Sequence, residues 1–480
     1  TVDSPEVYLE VSAVSGKKYG YLVTNQGSMN DNEYERSFHM EQDGNTLLFR
    51  AHKDALNAQV YPELLYRMEI RDTPFRVQRE DEGASLVVLE LSPTHEWSLV
   101  IQGLLHGEDV PFTRRDLDVE IKRYREFFRD VMNGFQLSLG DETPSELTKL
   151  NTLAWWYTHN MLVHFSVPHG LEQYGGAAWG TRDVCQGPAE YFSAMQNYET
   201  VREIIKTVYS HQFMEDGSWP QWFMFDRYYG IQAGESHGDI IVWPLKVVGD
   251  YLAVSGDYSI LDEQVPYTRW DTKEFTSETE TILDHIYKQI QYIQDNFLHD
   301  TYLSSYGDGD WDDTLQPANE QLKQYMASSW TVALTYQAVN RLADVLREVD
   351  GETAQNLKNL AEGIGNDFRR YMLSNDVIPG FVYLENPAQP EFMVHPQDQR
   401  TGIQYRLLPM TRSIISELMT LEEAEAHYEI IQKQLACPDG VRLMNRPANY
   451  SGGVSVHFKR AEQAANLDRK STRLNSSHNA

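Results

Sequence analysis

Residues 143–165 read TPSELTKLNTLAWWYTHNMLVHF, and the text on their two sides is of different kinds. Thr143 and Glu146 form a capping-box pattern with Pro144 at the first helical position, and Leu147, Leu150, Ala154, Tyr157 and Met161 recur at helical spacing. The pattern predicts a long helix with those five residues on one face. Helical text continues downstream in AEYFSAMQNYETVREIIKTVYSHQF, DIIVWPLKVVGDYLAV, SETETILDHIYKQIQYIQDNF, MASSWTVALTYQAVNRLADVLREV, AQNLKNLAEGIGNDFRRYML, LLPMTRSIISELM and LEEAEAHYEIIQKQL. The intervening loops are rich in Gly, Trp and Asp: YGGAAWGTRD, EDGSWPQWF, QAGESHGD, YGDGDWDD and YSGGVSVHF. Helices joined this way predict an α/α arrangement whose loops gather at one end around a pocket.

Upstream the period changes to two. From Glu6 to about Val110, apolar residues alternate through VYLEVSAV, GKKYGYLV, SFHMEQDGNTLLFRA and SLVVLELSPTHEWSLVIQGL, with Asp-Gly and Gly-Asn at the breaks. That is the signature of antiparallel hairpins and hence of a β-sandwich. DLDVEIKRYREFFRDVMNGF then predicts a connecting helix from about Asp116 to Met132, ending near Gly134. The organisation expected is a partial β-sandwich over 1–112, a helical linker over 113–140 and a helical domain over 141–468. The last stretch, RKSTRLNSSHNA at 469–480, is polar, lacks any period and resembles translated sequencing-adapter read-through, so it is set aside from the fold. On that reading the native chain continues past Asp468. A start without methionine, in text that already reads as strand, also suggests a fragment.

Composition narrows the function classes. With 480 residues and 41% hydrophobic content the chain can bury a substantial core. Its 71 acidic against 41 basic residues give a net charge of -30, which repels nucleic acid and anionic membranes. Two cysteines, Cys185 and Cys437, are too few for a disulfide framework and favour a reducing, cytoplasmic setting. No apolar run approaches twenty residues and the first ten have no secretory pattern, so no membrane association is expected.

The chemistry concentrates in YGDGDWDD, residues 306–313, which places Asp308, Asp310, Asp312 and Asp313 around Trp311. Three readings fit. A calcium loop counted from Asp308 fails at its sixth position, Asp313 in place of glycine, and at its twelfth, Asn319 in place of glutamate. A solvated acidic turn leaves the tryptophan unexplained, because an indole is costly to expose. A catalytic reading accounts for both residue types: cleaving a glycosidic bond needs a carboxyl that stays protonated, crowded carboxylates raise one another's pKa, and an indole offers a surface to a pyranose ring. In GGAAWGTRDVCQGP, Arg182 and Asp183 can be a structural ion pair capping a helix, or can join Trp179 and Gln186 in gripping a sugar through planar polar groups around an aromatic. His237 and Asp239 in ESHGD open the next helix and can serve as caps or line the pocket. Zinc spacings, phosphate-binding Gly-rich loops, GxSxG and a Cys/His pair are all absent, and no metal is expected.

Five ordered motifs, WGTRDVCQGP, ESHGDIIVWPLK, GDGDWDDTLQPAN, HPQDQRTGIQYRLLPMTRS and RPANYSGGVSVHFKRAEQAAN, resemble the inverting disaccharide and oligosaccharide phosphorylases of glycoside hydrolase family 94. Within it they are most similar to the 1,2-β-oligoglucan phosphorylase branch. The resemblance implies a β-sandwich, a helical linker and an (α/α)6 barrel, here incomplete at its C-terminal end. It implies Asp313 as general acid, from the family's Asp-Trp-x-Asp pattern on Asp310, Trp311, Asp312 and Asp313, with Trp311 beside the scissile sugar. Asp312 stands where relatives commonly have asparagine. Arg182 and Asp183 match the motif that holds the sugar on the non-reducing side of the cleaved bond. The reaction implied is phosphorolysis of β-linked gluco-oligosaccharides, β-1,2 in preference, to α-glucose 1-phosphate, with inorganic phosphate as co-substrate and no other cofactor. Residue type alone nominates Arg400, Arg406, Arg446 and His457 for the phosphate. Part of that site lies later in relatives' barrels, so a truncated chain is expected to be inactive. The rivals are an inverting hydrolase on the same barrel and a non-catalytic carbohydrate-binding protein; oligomeric state is left open.

Overall fold

The computed structural model describes residues 3–26, 38–79, 86–107, 110–140, 142, 144–166, 178–234, 236–398, 401–449 and 458–459. It divides into two compact units: Thr1–Asn160 with Leu171–Ala177 and Asp226–Tyr228, and Met161–Gly170 with Ala178–Phe225 and Tyr229–Ala480.

The first unit is an antiparallel sandwich. Strands β1 (Glu6–Ser12), β8 (Glu96–Leu104), β5 (Leu65–Arg71), β4 (Thr46–Ala51) and β3 (Phe38–Asp43) form one sheet in that order, and β2 (Tyr19–Gln26), β7 (Leu86–Thr94) and β6 (Phe75–Arg79) form the other. Asp43 pairs with Thr46 across the β3–β4 turn, where Gly44 supplies the φ of +60° that the first position of a two-residue hairpin loop requires. Alternation sends Leu47, Phe49, Met68, Ile70, Trp97 and Leu99 of one sheet against Val87, Leu89 and Leu91 of the other. A short helix α1 (Leu56–Val60) interrupts the sandwich.

Helix α2 (Leu117–Val131) follows, capped by Asp116, whose carboxylate accepts from the Val119 amide. It closes through Gly134 at φ +68°. Helix α3 (Ser145–Ser166) also forms as expected, although Thr143 of the capping box lies outside the described residues. Of its expected face Met161 is buried and Leu147 and Ala154 are partly buried, but Leu150 and Tyr157 are a correction, 48% and 63% exposed. Thr158, Asn151, whose amide bonds both backbone groups of Leu137, and Trp155, stacked on Phe128 at 4.2 Å, complete the inward side. A polar side chain that satisfies backbone groups took a place that hydrophobic periodicity assigns to leucine.

In the second unit helices alternate between two layers. Helices α4 (Thr181–Ala194), α6 (Trp243–Ser255), α9 (Ser329–Leu346) and α11 (Leu407–Ile415) pack in succession against one another. Helices α5 (Tyr198–Ser210), α7 (Ile282–Asp295), α10 (Gly351–Tyr371) and α12 (Leu421–Ile430) lie outside them, and α8 (Glu320–Tyr325) is a single short turn before α9. The layering follows from sequence: α6 buries nine of its thirteen residues, which marks a helix surrounded by others, whereas α5, α7 and α10 each bury one stripe. This is the inner and outer ring pattern of an (α/α) barrel, with four such pairs among the described residues.

Two expected helices are divided. Residues 189–213 break at Gln196, φ +60°, and restart behind Asn197, which caps Thr200. Residues 275–281, FTSETET, form a strand against Gln264–Thr268, because β-branched Thr276, Thr279 and Thr281 suit a pleat better than a helix. Thr281 then caps α7 in a capping box with Asp284.

Candidate active site

The inner helices bring their N-terminal ends together, and the side chains that link those ends make the site. Arg182 lies in the first turn of α4 and donates from Nη1 to both oxygens of Asp239, at 3.2 and 3.1 Å. Asp239 precedes α6, is fully buried, and also accepts from Trp243 Nε1 at 2.9 Å. Burial pulls the Arg182 pKa down, but the carboxylates of Asp239, Asp183 and Asp313 outweigh it, so the guanidinium stays charged. The sequence suggested its neighbour Asp183 as partner. The structure gives that place to Asp239 and leaves Asp183 half-buried, its carboxylate packed against Gly180, where a Cβ would meet Oδ2 at 2.0 Å.

The aspartate-rich loop has a second buried pair beneath it. Asp310 is 0% exposed and accepts from Arg406 Nη2 at 2.8 and 3.0 Å, from the Asp312 amide at 2.9 Å and from Ser328 Oγ at 2.8 Å. Ser328 is the N-cap of α9 and Arg406 stands at the N-cap of α11, so one carboxylate ties two inner helices to the loop. Burial acts to raise the Asp310 pKa, and Arg406 with these hydrogen bonds reverses it, holding the group below the usual carboxylate range. Arg406 is itself buried and lies over the Phe381 ring at 4.7 Å.

The other loop carboxylates are also accounted for. Asp308 pairs with Lys323 at 2.5 Å. Asp312 is 3% exposed, accepts from the backbone and hydroxyl of Thr314, and turns Oδ2 toward Arg406 Nη2 at 3.9 Å. Asp313 alone projects outward, its side chain 49% exposed. Its pKa is raised, by desolvation first; His237 and Arg182 oppose the rise, and Asp312 and Asp183 add to it. Crowding by like charge, the cause expected from sequence, is therefore the smaller contribution, because Asp308 and Asp310 are neutralised by cations of their own. Trp311 between them is half-buried.

His237 faces Asp313 at 3.8 Å, Nδ1 to Oδ1. Its ring lies against Gly309, where a Cβ would approach within 3.3 Å. Nδ1 sits 2.9 Å from the Asp310 carbonyl, which can only accept, so Nδ1 carries a hydrogen. Nε2 then accepts from the amide of Gln316 at 2.9 Å. Gly238 N donates to Gly309 O and so joins the two loops, while His237 N donates to the side-chain Oε1 of Gln221 from a third loop.

Several expected residues take other places. Trp179 is a correction: it is 6% exposed, with Phe165 stacked on it, Phe223 and Phe225 against its edges and Nε1 donating to the Phe165 carbonyl, so it builds the wall and offers no platform. Arg406 is fully buried with Nη2 committed to Asp310, while its Nε and Nη1 have no hydrogen-bond partner among the described residues. Gln186 is half-buried one turn beyond Arg182, on the same face of α4. Arg446 is exposed, two residues after Met444, which bridges to Arg406. Arg400 and His457 lie outside the described residues. Sequence reasoning passed over Gln316, Ser328 and the Asp239–Arg182 pairing; the proximity of Ser328 and Gln316 to the DWDD motif was the available signal. Among the described residues no group of three or more His, Cys, Asp or Glu could hold a metal ion, and no helix is long and apolar enough to cross a membrane.

Residues 130–459 match the model of the glycosyl hydrolase 94 superfamily catalytic domain, and residues 1–103 match a glycoside phosphorylase supersandwich domain. The chain is 46% identical over 477 residues to a 1,2-beta-oligoglucan phosphorylase of Listeria innocua serovar 6a, covering 98% of this chain and 43% of that protein. A solabiose phosphorylase of Paenibacillus borealis is 30% identical over 165 residues, 34% of this chain and 19% of the relative. The chain thus spans less than half the length of the curated relatives it matches. Among solved structures, a bacterial glucoamylase complexed with acarbose superposes with a TM-score of 0.52 at 10% identity, covering 96% of this chain and 69% of that one, which shows a shared fold.

Proposed function

The chain belongs to the glycosyl hydrolase 94 superfamily, and we propose that it serves the inverting phosphorolysis of β-linked gluco-oligosaccharides, β-1,2 in linkage, with Asp313 as general acid. The observation that carries the reading is the separation of roles within one loop. Three aspartates are committed to Lys323, Arg406 and Thr314, and the fourth stands half-exposed with its pKa raised by burial. Such a carboxyl keeps its proton nearer neutral pH and can deliver it.

The steps balance without a second carboxylate. Asp313 gives its proton to the bridging oxygen as the glycosidic bond breaks, and a phosphate oxygen attacks the anomeric carbon from the opposite face. The products are α-glucose 1-phosphate, a shortened oligosaccharide and the Asp313 carboxylate. Phosphate is already an anion and needs positioning more than activation. The converging helix N-termini turn backbone N–H groups toward this end of the barrel, which favours an anionic nucleophile. Trp311 supports the sugar face, and Asp183 and Gln186 hold its hydroxyls. Arg446 is the remaining cation proposed for phosphate among the described residues, and no cofactor beyond phosphate is invoked.

The test, made on the full-length protein, is turnover of β-1,2- and β-1,4-gluco-oligosaccharides with and without inorganic phosphate. Glucose 1-phosphate is expected from the β-1,2 series and only when phosphate is present. Equal turnover in its absence would establish an inverting hydrolase; binding of sugar with no turnover in either condition would leave a carbohydrate-binding protein.

A further inference from the structure

The ring of His237 stands between Gln316 and the acid. Its Nδ1–H points at the Asp310 carbonyl and lies 3.8 Å from Asp313 Oδ1, and its Nε2 is 2.9 Å from Gln316 Nε2. With the Gln316 amide nitrogen turned toward it, Nε2 presents a lone pair, the arrangement of a neutral ring; only with the amide turned over would its oxygen accept from a protonated Nε2. A cation at His237 would favour the charged form of the nearby carboxyl and strip the acid of its proton. The other charges facing Asp313 are fixed by partners elsewhere: Arg182 and Asp183 on α4, the former tied to Asp239, and Asp312 on its own loop beside Arg406. The His237 ring is the one of these neighbours whose charge depends on a single neutral contact.

We propose that Gln316 is a positioning residue for the acid: by donating its amide hydrogen to Nε2 it holds His237 neutral, with Nδ1–H bound to the Asp310 carbonyl and 3.8 Å from Asp313, so that no full positive charge faces the carboxyl and it keeps its proton. The proposal rests on Asp313 being the general acid. Gln316 lies three residues past the acid, on the strand Gln316–Pro317, and touches neither the acid nor, by its one contact to His237, the reacting atoms directly.

Gln316→Glu tests it through the sign of a shift. The new carboxylate draws a solvent proton onto Nε2, and the resulting imidazolium, whose Nδ1 lies 3.8 Å from Asp313, moves the acid's titration to lower pH by about half a unit or more. Without protonation of His237, the added negative charge moves it the other way. The Asp313 titration is read by carboxyl 13C NMR, with Asp313→Asn identifying the signal, so the measurement needs no turnover; the basic limb of the kcat/KM profile should follow it downward. In His237→Asn/Gln316→Glu the shift should reverse and become upward. An upward or absent shift in the single variant overturns the proposal. Full phosphorolysis by Asp313→Asn overturns instead the assignment of the acid, while the NMR titration still reports on the Gln316 contact. Should Gln316→Glu not fold, the imidazole 15N spectrum of the unaltered protein decides: His237 protonated at Nδ1 alone supports the proposal, and any other state refutes it.

Discussion

Asp310→Asn and Asp313→Asn, three residues apart, should part company completely. Asp310 is fully buried and receives two bonds from Arg406, one from Ser328 and one from the Asp312 amide. Replacing it with asparagine keeps the shape but leaves a buried guanidinium without its main counter-charge, an effect worth about 3–5 kcal/mol. Asp312 Oδ2, 3.9 Å from Arg406 Nη2 and otherwise without a hydrogen-bond partner, compensates in part, which places the expectation near ~3 kcal/mol. For a unit of roughly 300 residues the unfolding entropy is about 0.6 kcal/mol per degree, so the melting temperature falls by about 5 °C. Asp313, with its side chain 49% exposed and its ion-pair-range neighbour His237 Nδ1 at 3.8 Å, should change stability by no more than about 0.5 kcal/mol when amidated. Its loss should instead cost about 10²–10⁴-fold in the rate of phosphorolysis, the usual worth of a general acid. Differential scanning fluorimetry on both variants beside a glucose 1-phosphate assay makes the comparison. Asp310→Asn melting with the unaltered protein would refute the structural role of the ion pair, and Asp313→Asn turning over at full rate would refute the assignment of the acid.

The two tryptophans should separate in the same way. Trp179→Ala is expected to cost about 3–5 kcal/mol by emptying its aromatic cluster, whereas Trp311→Ala should leave the melt nearly unchanged and raise KM about tenfold, equivalent to ~1.4 kcal/mol of lost sugar contact; equal effects on KM from both would contradict their assigned places. Acid should unfold the protein through His211 and His285, both buried and both pushed down to about 4 by desolvation. The unfolded chain takes up those protons from about 6.5 downward, so the stability these rings contribute is present above pH 6.5 and drains between 6.5 and 4, on the order of 3 kcal/mol per ring at the lower end. A urea midpoint that stays level from pH 6.5 to 4 would contradict the burial of both rings.

Local chemistry was enough for much of the architecture. Period-two text with Gly44 in its turn position made a hairpin whatever surrounded it, and Asp116 and Gly134 bracketed α2 because caps act within one turn. The alternation of helices with Gly- and Asp-rich loops located the site loops for the same reason. Where the text misled, a non-local partner or a competing local preference had intervened. Asn151 displaced Leu150 from the inner face of α3 by bonding the backbone of Leu137, and the threonines of residues 275–281 paired with a neighbouring strand.

By itself the sequence determined much of the order of strands and helices and singled out the loop of the proposed acid, since periodicity, caps and turn residues act over a few positions. The choice among four aspartates was made by tertiary structure. Arg406, 96 residues from Asp310, consumes one carboxylate, and Asp239, 57 residues from Arg182, takes the cation that adjacency would have given to Asp183. Protonation depends on the dielectric and the charges within a few ångströms, and those are assembled only when the inner helices bring their N-termini to one place.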